Sequence, residues 1–329
     1  METKDIKKHF SKLGLILFIG TLLIYGVQYG AMAISEKIPM IADNPNLSFA
    51  AAMLPMYVIA FPLIFFMLKK VPAQACAESK KMKPMHVLIA FLMTYALTYI
   101  CNIIGTVITT VIGIFKQSTV DNVLMDVTSS LHPLTTFIIV AVCAPIMEEL
   151  LFRKYLVDRT IKYGEGVAIV FSGLVFGLFH GNLSQFSYAV TLGMFFAFIY
   201  IKTKNIVYTI ILHMLQNFMG SVVGMYVIKK SGFLKLAEQL EGLTDDAEIM
   251  ALMMENLAGI GIFFAYFALI MCFVIAGIVF WVLAIKKLKI SAGEVQIEKG
   301  KRFNTVFLNI GTILYSLFWI VQIVLQLLQ

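Results

Sequence analysis

The residues able to do chemistry in this chain are few, and the first pair is out of place. Glu148 and Glu149 are neighbours inside a long apolar stretch, whereas the rest of the 19 acidic residues lie in polar connections or near chain ends. An ionised side chain in the bilayer costs roughly 2.5–3.5 kcal/mol even on the gentlest scale, so such a pair marks a functional site by default. Two of the five histidines, His180 and His213, also fall in or at the ends of apolar stretches. They belong to Phe176-Gly177-Leu178-Phe179-His180 and His213-Met214-Leu215-Gln216-Asn217. A carboxylate in low-dielectric surroundings is a competent general base. An imidazole can share in activating water or bind a metal. A second imidazole with an amide can donate hydrogen bonds to an oxyanion. No serine or cysteine makes a convincing nucleophile with a base beside it. Water attack on a carbonyl, peptide-bond hydrolysis, is therefore the natural reaction. The plainer readings are structural. An intramembrane His or Asn often serves only as an interhelical hydrogen bond. Glu149 and Arg153, four apart with the acid first, can be an ion pair on one helix face.

To act together these groups must reach one level. If two helices form a hairpin turning near Gly164, Glu148 stands 16 residues before the turn and His180 16 after it. Both then lie some 24 Å from the turn, at about 1.5 Å per residue. The polar stretch Arg153 to Glu165 is expected to protrude into the cytoplasm, which leaves the site a turn or two inside the membrane boundary. His213 and Asn217 share one face of a third helix. Pro145 should kink the helix that carries Glu148. Gly173 and Gly177 form a GxxxG pattern that lets another helix approach closely.

The elements are membrane helices. Hydrophobic residues make up 60% of the 329 and the mean hydropathy is +0.88, a balance no soluble domain has. Nine apolar segments are expected, at about 13–34, 49–68, 85–115, 131–151, 166–181, 184–201, 206–227, 257–285 and 304–328. Segments this long satisfy their backbone groups in lipid only as α-helices, so the class is an all-α polytopic bundle of eight or nine spans. The fifth segment is short. With the N-terminus inside, the tail and the inner connections hold four, five, four, two and six Lys or Arg, 21 in all, against five outside. That split predicts a cytoplasmic N-terminus. The net charge of +7 is thus a topology signal, and nucleic acid is excluded as a partner because no soluble basic domain exists to present it. The basic connection 286–303 could also meet anionic lipid head groups. Ala31-Met32-Ala33 resembles a signal-peptidase site, but the apolar run before it is too long, so an uncleaved first span is expected. Cys76, Cys101, Cys143 and Cys272 show no metal-ligand spacing, and the last three read as small core residues. Asp245 and Glu248 have capping-box spacing, with Ile249, Leu252 and Met253 as the apolar stripe of a short surface helix.

EExxxR (Glu148, Glu149, Arg153), FxxxH (Phe176, His180) and HxxxN (His213, Asn217), in that order on successive membrane helices, resemble the CPBP family of CAAX prenyl proteases and bacteriocin-processing or immunity proteins, also called Abi. The resemblance covers about 131–227, the expected catalytic core, with transmembrane helices at 1–130 and 228–329 on either side. It implies an intramembrane endopeptidase acting on a membrane-associated peptide or protein, within the plasma membrane if the host is prokaryotic. Carried over, Glu148 and His180 activate the water. His213 and Asn217 stabilise the oxyanion or join the ligands of a divalent metal such as zinc, for which His180, His213 and Glu148 are the candidate ligands. Glu149, Arg153 and Phe176 support the site. HExxH is absent, which excludes a zincin-like site. The competing readings are a non-catalytic immunity or peptide-binding membrane protein and a proton-coupled transporter using Glu148 and Glu149. Against the transporter, the polar groups cluster on three consecutive helices instead of lining several spans from side to side.

Overall fold

The computed structural model describes residues 3–74, 79–118 and 123–328; Cys76 lies outside them. Among the described residues the chain is helical, with no strand. Eight helices are long and apolar enough to cross a membrane: α1 Thr3–Ser35, α2 Pro45–Lys69, α3 Pro84–Lys116, α4 Pro133–Tyr163, α6 Leu183–Thr203, α7 Ile206–Ser231, α8 Leu257–Ile285 and α9 Ile310–Leu328. The fifth expected segment is a shorter apolar helix, α5 Glu165–Phe179. Ala31–Ala33 is helical within α1.

Local chemistry sets the helix starts. Asn44, His132, Asn182 and Asn205 cap α2, α4, α6 and α7, each accepting a hydrogen bond from a first-turn backbone N–H. Proline opens α2, α3 and α4, where its missing N–H costs nothing. The ninth segment starts later than expected. Asn309 accepts from Thr312 N at 3.0 Å, and this cap separates α9 from the short helix Arg302–Val306. Helices also form within 228–256, at Phe233–Leu240 and Asp246–Glu255. Asp245 caps the second through Ala247 N, with Ile249 and Leu252 half-buried.

The connections sort onto two ends. At one, Lys7 Nζ donates to Asn304 Oδ1 (2.8 Å), Gln74 N to Asp158 O (2.8 Å), Lys80 N to Thr203 O (2.7 Å) and Val295 N to Lys162 O (3.0 Å). At the other, His132 N donates to Asn46 Oδ1 (2.7 Å) and Lys229 Nζ to Leu131 O (3.4 Å). The first end gathers the connections that hold the 21 basic residues, so the positive-inside rule predicts that it faces the cytoplasm.

The polar end of α4 is enclosed by other elements. Arg153 is fully buried and Asp158, Arg159 and Thr160 are buried. Tyr200 donates to Asp158 (2.8 Å), Arg159 Nε to Leu68 O (2.7 Å), and His9 Nε2 lies 2.8 Å from Arg159 O. Buried polar groups persist only when partnered, and α2, α6 and α1 supply the partners. The 286–303 connection folds back over the α4–α5 turn, where Gly293 meets Gly164 so closely that a Cβ would collide with its backbone. Cysteine behaves as expected only in part: Cys101 is buried, Cys143 half-buried and Cys272 exposed, on a helix whose surface is largely free to face lipid.

Candidate active site

α4 carries the acidic pair, and its winding is irregular around them. Phe137–Cys143 and Leu150–Val157 are π-helical, on either side of the α-helical Ala144–Glu149. Pro145 cannot donate to Ala141 O and its ring presses on that carbonyl; the wider π turn immediately before it absorbs the clash. α7 does the same beside the second motif, turning π-helical at Phe218–Gly224 just after Asn217. Single π turns inside α-helices recur at functional sites.

α5 and α6 form the wall opposite α4. A Cβ on Gly173 would meet Val190 O and Met194 N at 2.9 Å each, and one on Gly193 would meet Gly173 Cα at 3.0 Å. The GxxxG pattern is therefore a close approach of two backbones, as its spacing predicts. Ser172 Oγ donates to Phe152 O at 2.9 Å and ties α5 to α4.

The fold brings the expected residues of all three motifs around one cavity of about 460 Å³, lined by Glu148, Phe176, His180, His213 and Asn217. Glu149 is fully buried and does two things. Its Oε2 lies 3.0 Å from Arg153 Nε, and its Oε1 lies 3.0 Å from His213 Nδ1. The contact with Arg153 is a close ion pair without good hydrogen-bond alignment. The rest of the guanidinium lies among rings, 4.5 Å from the centroid of Phe176, 5.6 Å from Phe196 and 6.0 Å from Phe152, where the negative ring faces offset its charge. The ion pair expected from sequence is present, and it also holds a histidine.

The hydrogen bonds assign the tautomers. A carboxylate accepts, so His213 Nδ1 carries the proton and its Nε2, 3.7 Å from Glu148 Oε2, faces the cavity side. His180 Nδ1 lies 2.9 Å from Phe176 O, a carbonyl, so its Nδ1 is also the donor and its Nε2 is left as an acceptor. Phe176 stands edge-on to both rings, 4.8 Å from His180 and 5.8 Å from His213. Asn217 Nδ2 donates to Val140 O at 3.0 Å, binding α7 to the π segment of α4.

Further polar groups line the cavity that the sequence reading did not single out. Gln216 bridges Thr94 and Thr98 of α3, and Asn182, Gln185 and Tyr188 form a hydrogen-bonded chain at the start of α6. Tyr57 of α2 also lines it. Gln216 could have been found, since it adjoins Asn217 in an apolar span; Tyr57 could not, because a tyrosine in a membrane helix carries no such signal. As for a metal, no three His, Cys, Asp or Glu side chains among the described residues are gathered to hold an ion. Glu148, His180 and His213 share the cavity without closing on a common point, so this donor set does not fit a three-ligand centre, and no chemical step is routed through one.

Residues 130–219 match the family model of type II CAAX prenyl endopeptidases, Rce1-like. This stretch is similar to an Rce1-like domain. It contains every residue of the three motifs by which the chain resembles the CPBP family. Two curated proteins align with part of the chain. "Putative membrane peptidase YdiL" of Bacillus subtilis (strain 168) is 32% identical over 111 residues, 32% of this chain and 43% of that protein. "Membrane-embedded CAAX protease MroQ" of Staphylococcus aureus (strain USA300) is 30% identical over 107 residues, 30% of this chain and 42% of that protein. The chain thus matches less than half the length of either relative. No solved structure matches the chain. The matched stretch spans α4–α6 and the first half of α7, and it sits in a multi-pass membrane protein whose remaining helices the family model does not cover.

Proposed function

We propose that this protein is an intramembrane endopeptidase that hydrolyses a peptide bond of a membrane-associated protein or peptide, within the plasma membrane if the host is prokaryotic. The observation that carries the reading is the array Glu149–His213–Glu148, fixed across two helices at the inner end of a cavity. A carboxylate that holds one imidazole nitrogen while the other faces a second carboxylate is the arrangement of an oriented base, as in hydrolytic triads. Glu148 takes a proton from water as that water attacks the scissile carbonyl. His180 Nε2, an acceptor, holds the same water from α5. His213 receives that proton from Glu148 at Nε2, with Glu149 stabilising the imidazolium, and then donates toward the oxyanion together with the second N–H of Asn217. Collapse of the tetrahedral intermediate returns the proton to the leaving amine. The names of the relatives, a membrane peptidase and a CAAX protease, support the reaction class.

The test compares wild type with Glu148→Gln, which keeps shape and removes the base. Substrate-trapping proteomics with Glu148→Ala identifies a substrate. Its cleavage should fall at least 10²-fold in Glu148→Gln and in His180→Ala, the lower range for loss of a general base, with protein level little changed. Near-normal cleavage by Glu148→Gln sinks the assignment and leaves a peptide-binding or immunity role.

A further inference from the structure

The cavity is lopsided along the membrane normal. Its floor is closed, because Glu149, Phe152 and Arg153 are all fully buried and Phe171 and Ser172 are sealed behind them. Glu148 lies six residues before Lys154, which is 47% exposed at the basic end, hence roughly 9 Å from it at 1.5 Å per residue. The rest of the lining rises the other way. Gln28 comes from the Ser35 half of α1, Phe49 and Met53 from the Pro45 half of α2, Thr128 from the connection before α4, and Ser221 from the outer half of α7. Among the described residues no lining residue comes from the basic connections.

α5 explains the shape. Its 15 residues reach roughly 22 Å, short of a hydrocarbon core of about 30 Å. The bend His180–Asn182 that follows, with Gly181 at φ +63°, therefore sits at membrane depth. Irregular backbone is tolerated there only when it is buried in protein or lines a wet cavity. Here it begins a polar wall: Asn182 Nδ2 donates to Gln185 Oε1 (2.6 Å) and Gln185 Nε2 to Tyr188 OH (2.7 Å). Tyr57 faces the same space with a buried hydroxyl that has no hydrogen-bond partner among the described residues. Among the described residues the lining includes no Lys or Arg, and Glu148 is its one carboxylate. A free C-terminal carboxylate would enter with no cation to meet it and a like charge at the end. The amides of an internal peptide would find neutral donors and acceptors.

We infer that the cavity is a substrate chamber entered from the non-cytoplasmic half of the membrane, and that it takes an internal, uncharged stretch of a membrane-embedded peptide rather than a free C-terminus. The substrate class rests on the proteolytic reading; the side of entry does not. Two measurements separate them. In a cysteine-free background of the full chain, Gln28→Cys and Phe49→Cys are labelled with a membrane-impermeant maleimide in intact cells, with Lys287→Cys as the inner control. Labelling of both chamber positions without Lys287→Cys is expected. Labelling only from the cytoplasmic side overturns the entry. Uncharged fluorogenic peptides, each as amide and as free acid, are then offered to detergent-solubilised protein with Glu148→Gln as the blank. The amides should be cut about tenfold faster or more, since Glu148 opposes the like charge of the free acid. Equal or faster cutting of the free acids overturns the substrate class. No cutting above the blank overturns the proteolytic reading and the substrate class with it, while the labelling still decides the side of entry.

Discussion

With a carboxylate near each of its nitrogens, His213 depends on which one holds a hydrogen bond. Glu149 holds Nδ1 at 3.0 Å, so Nε2 is the nitrogen that can exchange a proton near Glu148. Arg153 Nε lies 3.0 Å from Glu149 Oε2, and neither side chain is open to solvent. Breaking a buried pair leaves one charge uncompensated and costs about 3–5 kcal/mol, whereas replacing both partners with apolar groups is often neutral. Glu149→Gln should therefore lower the thermal midpoint strongly. Arg153→Met in the same chain should restore much of the loss without restoring cleavage, because His213 stays unanchored. Thermal unfolding in detergent together with a cleavage assay separates the two effects. A double variant as unstable as the single one would count against the ion pair as the cause.

At the scale of elements, the contact between α5 and α6 fixes where His180 sits. Gly173 and Gly193 approach backbone to backbone, and a Cβ on Gly173 meets main-chain atoms that have no rotamer to move to. Gly173→Ala should cost about 1–3 kcal/mol by overpacking and displace His180 from Glu148. Gly26→Ala, on a helix face with nothing within 4 Å, is the matched control and should leave stability within about 0.5 kcal/mol of wild type. Equal midpoints for the two variants would show that α6 yields easily and that the glycine is not what sets the register.

For the whole molecule, the orientation follows from charge and the closure from packing. The 286–303 connection should be labelled only from the cytoplasm when cysteines are placed in it, given the 21-to-5 split of basic residues. Labelling from outside in intact cells would invert the molecule. The same inversion would reverse the side from which the chamber opens, so this measurement anchors the entry direction as well.

The sequence by itself determined the class, predicted the orientation, and named residues that the structure gathers around one cavity. Apolar length dictates helices in lipid, basic residues dictate the inner face, and a charged pair in an apolar helix is too costly to be idle. The equal spacing of Glu148 and His180 about Gly164 was enough to place them on facing helices. Only the tertiary structure decided the rest. The burial of the polar end of α4 was not legible because sequence shows polarity and not partners; α1, α2 and α6 supply those partners from distant positions. Glu149 looked like half of a local ion pair because an i,i+4 spacing is visible in one dimension. Its bond to His213, 64 residues away, is not. Tyr57 and Gln185 gave no signal for the same reason. A cavity wall is defined by what faces it across space, and its closed floor and open side arise from which helices stop short and which pack through.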